Sequence, residues 1–81
     1  MFINKTSDGK NNFCGPRVSA YRKELHISQR ELADRLQIVG LDIDKNAIQR
    51  IECGKRFVTD IEIVALVQVL GCGLEDLLHL R

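Results

Sequence analysis

Twice in this chain a hydroxyl residue is followed three positions later by a glutamate at the head of an apolar run: Ser28 with Glu31, and Thr59 with Glu62. A Ser or Thr there accepts a hydrogen bond from the backbone N–H three residues on, while the Glu reaches back to the N–H of the cap. Two helix starts are thereby pinned. Behind them the apolar residues recur at helical spacing, Leu32, Ala33 and Leu36 after the first start and Ile61, Val64, Ala65, Leu66 and Val69 after the second. Gly71 supplies a stop. No stretch alternates at strand spacing over a useful length, and no internal repeat is visible. A chain punctuated in this way is restricted to short helices packed on one another.

The remaining helices follow from the same signals. Gly15-Pro16 opens the first, because Pro suits a first turn where its missing N–H is not needed. Val18, Tyr21, Arg22 and Leu25 then give i, i+3, i+4, i+7 spacing over about residues 17–25. A connection, QIVGLDID, leads to Asp44, which can cap a third helix over about 45–53, with Gly54 at its end. Ile48 and Ile51 are its only apolar pair, and Lys45, Asn46, Gln49 and Arg50 crowd the other side. Leu74 to Leu80 gives a short fifth helix with Leu74, Leu77 and Leu78 at core spacing. Residues 1–13 lack periodicity and are rich in Asn, Lys, Ser and Gly, which predicts a flexible arm, or at best a short strand around Phe2 and Ile3. The expected organisation is all-α: an arm over 1–13 and one five-helix bundle over 14–81.

Composition narrows the function classes. The 81 residues suffice for one domain, and with no Trp and one Pro the core must be largely aliphatic, with Phe13, Phe57 and Tyr21 as minor contributors. No apolar run approaches the length of a membrane span, and no signal-peptide pattern is present, so the cytoplasm is the default location. Cys14, Cys53 and Cys72 lack metal-ligand spacing, and three ordinary free thiols is the preferred reading; a redox role at Cys53 is the lesser alternative. His26 and His79 have no nucleophile or carboxylate in catalytic order, so no enzyme, cofactor or small-molecule ligand is expected. Net charge is +1, yet residues 17–56 hold nine Lys/Arg against six Asp/Glu while 57–81 hold one against four. Such asymmetry suits a polyanion site on one side of the domain, although solvated helix faces also produce it.

"ISQRELADRL" followed by "AIQRIECGKR" and "TDIEIVALVQVLGCGLEDLL" resembles the Cro/C1-type helix-turn-helix family, the XRE-like regulators, over about residues 16–80. The resemblance implies a lambda-repressor-like fold that binds double-stranded DNA, as a homodimer, with the third helix in the major groove. One departure is evident: the connection between helices two and three exceeds the usual tight turn by about five residues, and Leu41 and Ile43 are expected to tuck onto the core. The resemblance implies base contacts from Lys45, Asn46, Ala47, Gln49 and Arg50. Lys or Arg can donate to guanine, Asn can pair with adenine, and Ala47 could meet a thymine methyl. Phosphate contacts are implied for Ser28, Gln29, Arg30, Lys55 and Arg56, with Gln29 resembling a clamping glutamine at a helix N-terminus. Arg22 and Glu52 match positions that form a structural ion pair, and Asp44 reads as a cap.

Two functions of different class remain. The first is a sequence-specific DNA-binding regulator, expected to repress transcription as a homodimer on a pseudo-palindromic site. The second is a protein-interaction module that keeps the fold without DNA binding, supported by the small net charge. The wide apolar stripe of Ile61, Ile63, Val64, Val67 and Leu70, with Leu78 and Leu80, is either ordinary core or in part a dimer surface.

Overall fold

Ser28 and Thr59 start helices where their spacing places them. In the computed structural model, which describes residues 5–78, the chain forms α1 (Gly15–Glu24), α2 (Gln29–Ile38), α3 (Lys45–Glu52), α4 (Asp60–Leu70) and α5 (Leu74–Leu78). Among the described residues there is no strand, and the fold is all-α as expected. The core joins Val18 of α1, Leu32 and Leu36 of α2, Ile48 and Ile51 of α3, Leu66 of α4 and Leu77 of α5. The possible strand at Phe2 and Ile3, and the contributions of His79 and Leu80, lie outside the described residues.

The two glutamate caps differ. Glu62 completes its box: the Thr59 hydroxyl accepts from the Glu62 N–H, and the Glu62 carboxylate accepts from the Thr59 N–H at 2.9 Å. At the other start only half forms. The Ser28 hydroxyl accepts from the Glu31 N–H at 3.0 Å, but the Glu31 carboxylate turns to Arg35 one turn on, at 2.7 Å. A cation at i+4 competes directly with the cap N–H for that carboxylate.

Glu62 also sets the rotation of α4, and here the expected packing is corrected. Its carboxylate is buried and accepts two hydrogen bonds from the Arg56 guanidinium, both at 2.9 Å. With Glu62 turned inward, Ala65, Leu66 and Leu70 follow it into the core, while Ile61 and Val64 face out at 72% and 60% exposure. A helix apolar nearly all round has no period from which to choose a face; the ion pair chooses it. The two phenylalanines expected in the core, Phe13 and Phe57, are also exposed.

Helix α1 ends differently from expectation too. Leu25 is its cap, and His26 adopts a left-handed conformation at φ 58°. His26 N–H donates to Lys23 C=O at 3.0 Å and Ile27 N–H to Arg22 C=O at 3.3 Å, the two-bond closure of a helix end. The reversal carries Ile27 into the core in place of Leu25. In the α2–α3 connection, Leu41 and Ile43 do pack inward, and the Gln37 side chain donates to Ile43 C=O at 2.9 Å. The extra length is thus spent on core contacts.

Residues 5–13, expected as a flexible arm, are bonded to the rest of the chain. Thr6 N–H donates to Lys10 C=O at 2.8 Å, closing a turn, and Asn11 N–H donates to Gly54 C=O at 2.7 Å. Asn12 is the tighter anchor. Its amide N–H group donates to Ile51 and Arg56 carbonyls at 3.0 and 2.8 Å, and its Oδ1 accepts from Gly15 N–H at 2.9 Å. That last bond starts α1 two residues earlier than the apolar spacing predicts. Gly15 in turn lies flat against the end of α3, where a Cβ would overlap the Ile51 carbonyl oxygen and stand 3.1 Å from that of Glu52.

Two outcomes follow. Gly15→Ala, which helix propensity alone would favour, is expected to destabilise by about 1–3 kcal/mol because backbone carbonyls cannot yield to the added methyl; thermal unfolding measures it. The Arg56 guanidinium holds the Glu62 carboxyl below the usual carboxylate range. A depressed folded-state value means stability present above the unfolded carboxylate value and lost as pH falls through the folded one. Glu62→Gln should therefore cost about 1–3 kcal/mol at pH 7, and urea denaturation should find that cost shrinking as acid titrates the wild-type carboxylate.

Candidate nucleic-acid interface

Helix α3 is short and strongly two-sided. Asp44 caps it as expected, its carboxylate accepting from the Ala47 N–H at 2.8 Å. Ile48 and Ile51 are fully buried, whereas Lys45, Asn46, Gln49 and Arg50 are all exposed. None of these four side chains has a hydrogen-bond or ionic partner among the described residues. Asn46, Gln49, Arg50 and the exposed Cys53 fall at i, i+3, i+4 and i+7, one stripe along the helix. Four of the five expected base-contacting residues are therefore presented together. Ala47 is the exception and a correction: at 6% exposure it belongs to the core, so its methyl is not offered to a thymine.

The angle of α3 is fixed at its far end by Glu52. This carboxylate accepts from Arg22 Nε at 2.7 Å and Nη2 at 3.1 Å, and from Gln29 Nε2 at 3.0 Å. The Arg22 Nη1 donates to Ile27 C=O at 2.9 Å. The expected Arg22–Glu52 pair is thus present, nearly buried, and tied as well to the first residue of α2. Three helices meet at one carboxylate.

The expected phosphate contacts divide. Arg30 and Lys55 are exposed and without partners among the described residues. Ser28 is exposed; its oxygen caps α2 and its hydroxyl proton remains able to donate. Gln29 and Arg56 are corrected. The Gln29 amide donates to Glu52 inside the α1–α2–α3 junction, which holds the side chain there and leaves one N–H of the amide. Both Arg56 terminal nitrogens donate to Glu62, because a planar guanidinium matches a carboxylate with two parallel bonds, and Nη1 also donates to Phe57 C=O. Sequence reasoning missed Asn11 and Asn12. The only local signal was a pair of Asn just before Gly15; Asn12 lies two residues before the Cys14 cap, and its Oδ1 accepts from the first N–H of α1.

The thiols fit the preferred reading of free cysteines: Cys14 is buried, which pushes its thiol up to about 11, Cys72 is half-buried and Cys53 exposed. Among the described residues no His, Cys, Asp and Glu cluster could hold a metal ion. No described helix is long and apolar enough to cross a membrane.

No curated protein and no solved structure matches the chain. A helix-turn-helix family model matches residues 18–77, from α1 into α5, and so spans most of the chain and every element described above. The expected resemblance is thereby established: this chain belongs to the Cro/C1-type helix-turn-helix family of DNA-binding regulators.

Proposed function

We propose that this chain is a sequence-specific, double-stranded DNA-binding repressor of transcription that acts as a homodimer. The observation that carries the reading is the state of α3: one side fully buried, the other offering Lys45, Asn46, Gln49 and Arg50 with no internal partner among the described residues. Polar side chains left free on a helix held by its buried side are what a major groove requires, since it admits one α-helix and displays a distinct donor and acceptor pattern for each base pair. Lys45 and Asn46 lie in the first turn, the part of a recognition helix that reaches base edges. Arg30, Lys55 and the Ser28 hydroxyl are assigned to backbone phosphates, which set register and carry no sequence information.

The homodimer is assigned to an apolar surface. Ile38, Val39, Ile61 and Val64 are exposed, and Val39, Ile61 and Val64 line one shallow groove between the end of α2 and α4. Of the stripe read from sequence, Leu70 is buried and Ile63 and Val67 pack against the core, so Ile61 and Val64 are the part left to a second copy. A two-fold pair would set two recognition helices about 34 Å apart on a pseudo-palindromic site. The same apolar surface is also what an interaction module without DNA binding would use, and the two readings part on salt dependence.

Binding to duplex DNA is expected to weaken steeply as salt rises, because neutralised phosphates release counterions; no binding at low salt, or a flat response, favours the interaction module. Arg50→Ala should cost about 1–3 kcal/mol and relax preference at one base position. Titrations on a selected site and its single-base variants measure this, and an equal loss on every sequence makes Arg50 a phosphate contact instead. Ile61→Asp, at an exposed position, should halve the mass found by sedimentation while leaving the helical content intact; a wild-type monomer overturns the dimer, and a dimer that survives the substitution overturns this surface.

A further inference from the structure

The N-terminal segment does more than cover the end of α3. We infer that residues 5–13 form part of the DNA-contacting surface, with Lys10 held beside Lys55 as a further phosphate-binding cation and with Asn11 and Asn12 as the positioning residues. The inference rests on the DNA-binding reading above.

Four carbonyls, of Ile51, Gly54, Lys55 and Arg56, lie at the end of α3 and in the turn that follows, where a helix leaves acceptors exposed, and that of Ile51 already accepts from Gly54 N–H at 3.0 Å. Asn11 takes two of them, donating its N–H to Gly54 at 2.7 Å and its side-chain amide to Lys55 at 2.9 Å. Asn12 takes the other two. The segment is thus fastened to the same turn that presents Lys55. Gly54, at φ 78°, has no side chain, and the Lys10 stem lies in the space so opened: a Cβ on Gly54 would stand 2.7 Å from Lys10 Cδ. Backbone bonds to Thr6 hold Lys10 from the other side, its N–H donating to the Thr6 hydroxyl at 2.9 Å.

What this placement faces is set by α3. Cys53 ends the exposed stripe of Asn46, Gln49 and Arg50, and Lys10, Phe13 and Cys53 line one cleft of about 360 Å³. Lys10 therefore stands at the end of the stripe assigned to the groove, its ammonium in no hydrogen bond or ion pair among the described residues and attracted through space by Asp8. Lys5 adds a second ammonium, donating to Asn11 Oδ1 at 2.6 Å. Two carboxylates border the same cleft. Glu52 is neutralised by Arg22, and Asp8, which accepts from the Thr6 hydroxyl, opposes the two lysines only in part. The competing role for Lys10 and Lys55 is to offset the negative end of the α3 dipole. That role would alter stability and leave the salt dependence of DNA binding untouched.

The test uses the full chain. Lys10→Gln should weaken binding several-fold on mixed-sequence and selected duplexes alike, and should reduce the slope of log affinity against log salt by about 0.9, one phosphate's share. Lys10→Arg should keep the wild-type slope. In the wild type, saturating duplex should protect the Lys10 amine from acetylation, a readout that needs no variant to fold. An unchanged slope in Lys10→Gln, or Lys10 acetylation unaffected by DNA, overturns the inference while Arg50→Ala still reports on the DNA-binding reading. Absence of salt-dependent binding by the wild type overturns both.

Discussion

The Glu52 carboxylate is the point on which the geometry of this domain turns. It stands at the end of α3 and draws Arg22 from α1 and Gln29 from α2 onto two oxygen atoms. A nearly buried carboxylate must be fully paired, since removing one partner of such a pair leaves an uncompensated charge at a cost of about 3–5 kcal/mol. The penalty makes the junction specific. Apolar contacts through Ile48 and Ile51 draw α3 into the core, but such contacts are not directional; the charge-assisted bonds at Glu52 fix where along its length, and at what angle, the helix comes to rest.

A second carboxylate does the same for the other half of the molecule. Glu62 caps α4, binds Arg56 and turns Ala65 and Leu66 inward. Together the two glutamates account for how the chain uses its cations. Arg22 and Arg56 are consumed by architecture and Arg35 by Glu31, whereas Arg30, Arg50, Lys45 and Lys55 remain exposed without partners among the described residues. The ion pairs cancel charge for charge and leave the net at +1, so the positive character of the α3 side comes from where the unpaired cations Lys45, Arg50 and Lys55 lie. Exposed cations attract a polyanion; paired ones contribute little to that field.

The end of α3 illustrates how backbone needs and function coincide. Helix ends leave carbonyls that require donors, and the donors here are two asparagines from before α1. Meeting that need brings the N-terminal residues, Lys10 among them, alongside the polar stripe. The close approach of Gly15 to the Ile51 carbonyl is the matching contact from α1. Helix α3 is therefore gripped at its C-terminal end by α1, α2 and the N-terminal segment, and left open along the side that carries Asn46, Gln49 and Arg50.

Much of this was legible without coordinates. The caps at Ser28, Asp44 and Thr59, the stop at Gly71, the buried stripe of α2 and the two-sided character of α3 are local properties, each set by residues within a turn or two of one another. The Arg22–Glu52 pair was legible only through the family pattern. Tertiary structure alone decided the face of α4, the destinations of Gln29 and Arg56, the burial of Ala47 and the docking of residues 5–13. Each of these depends on which distant group a side chain meets: Glu62 for Arg56, Glu52 for Gln29, the carbonyls after α3 for Asn11 and Asn12. Sequence spacing determines which groups share a face of one helix; it carries no information about which carboxylate or carbonyl a neighbouring element will bring within hydrogen-bond reach.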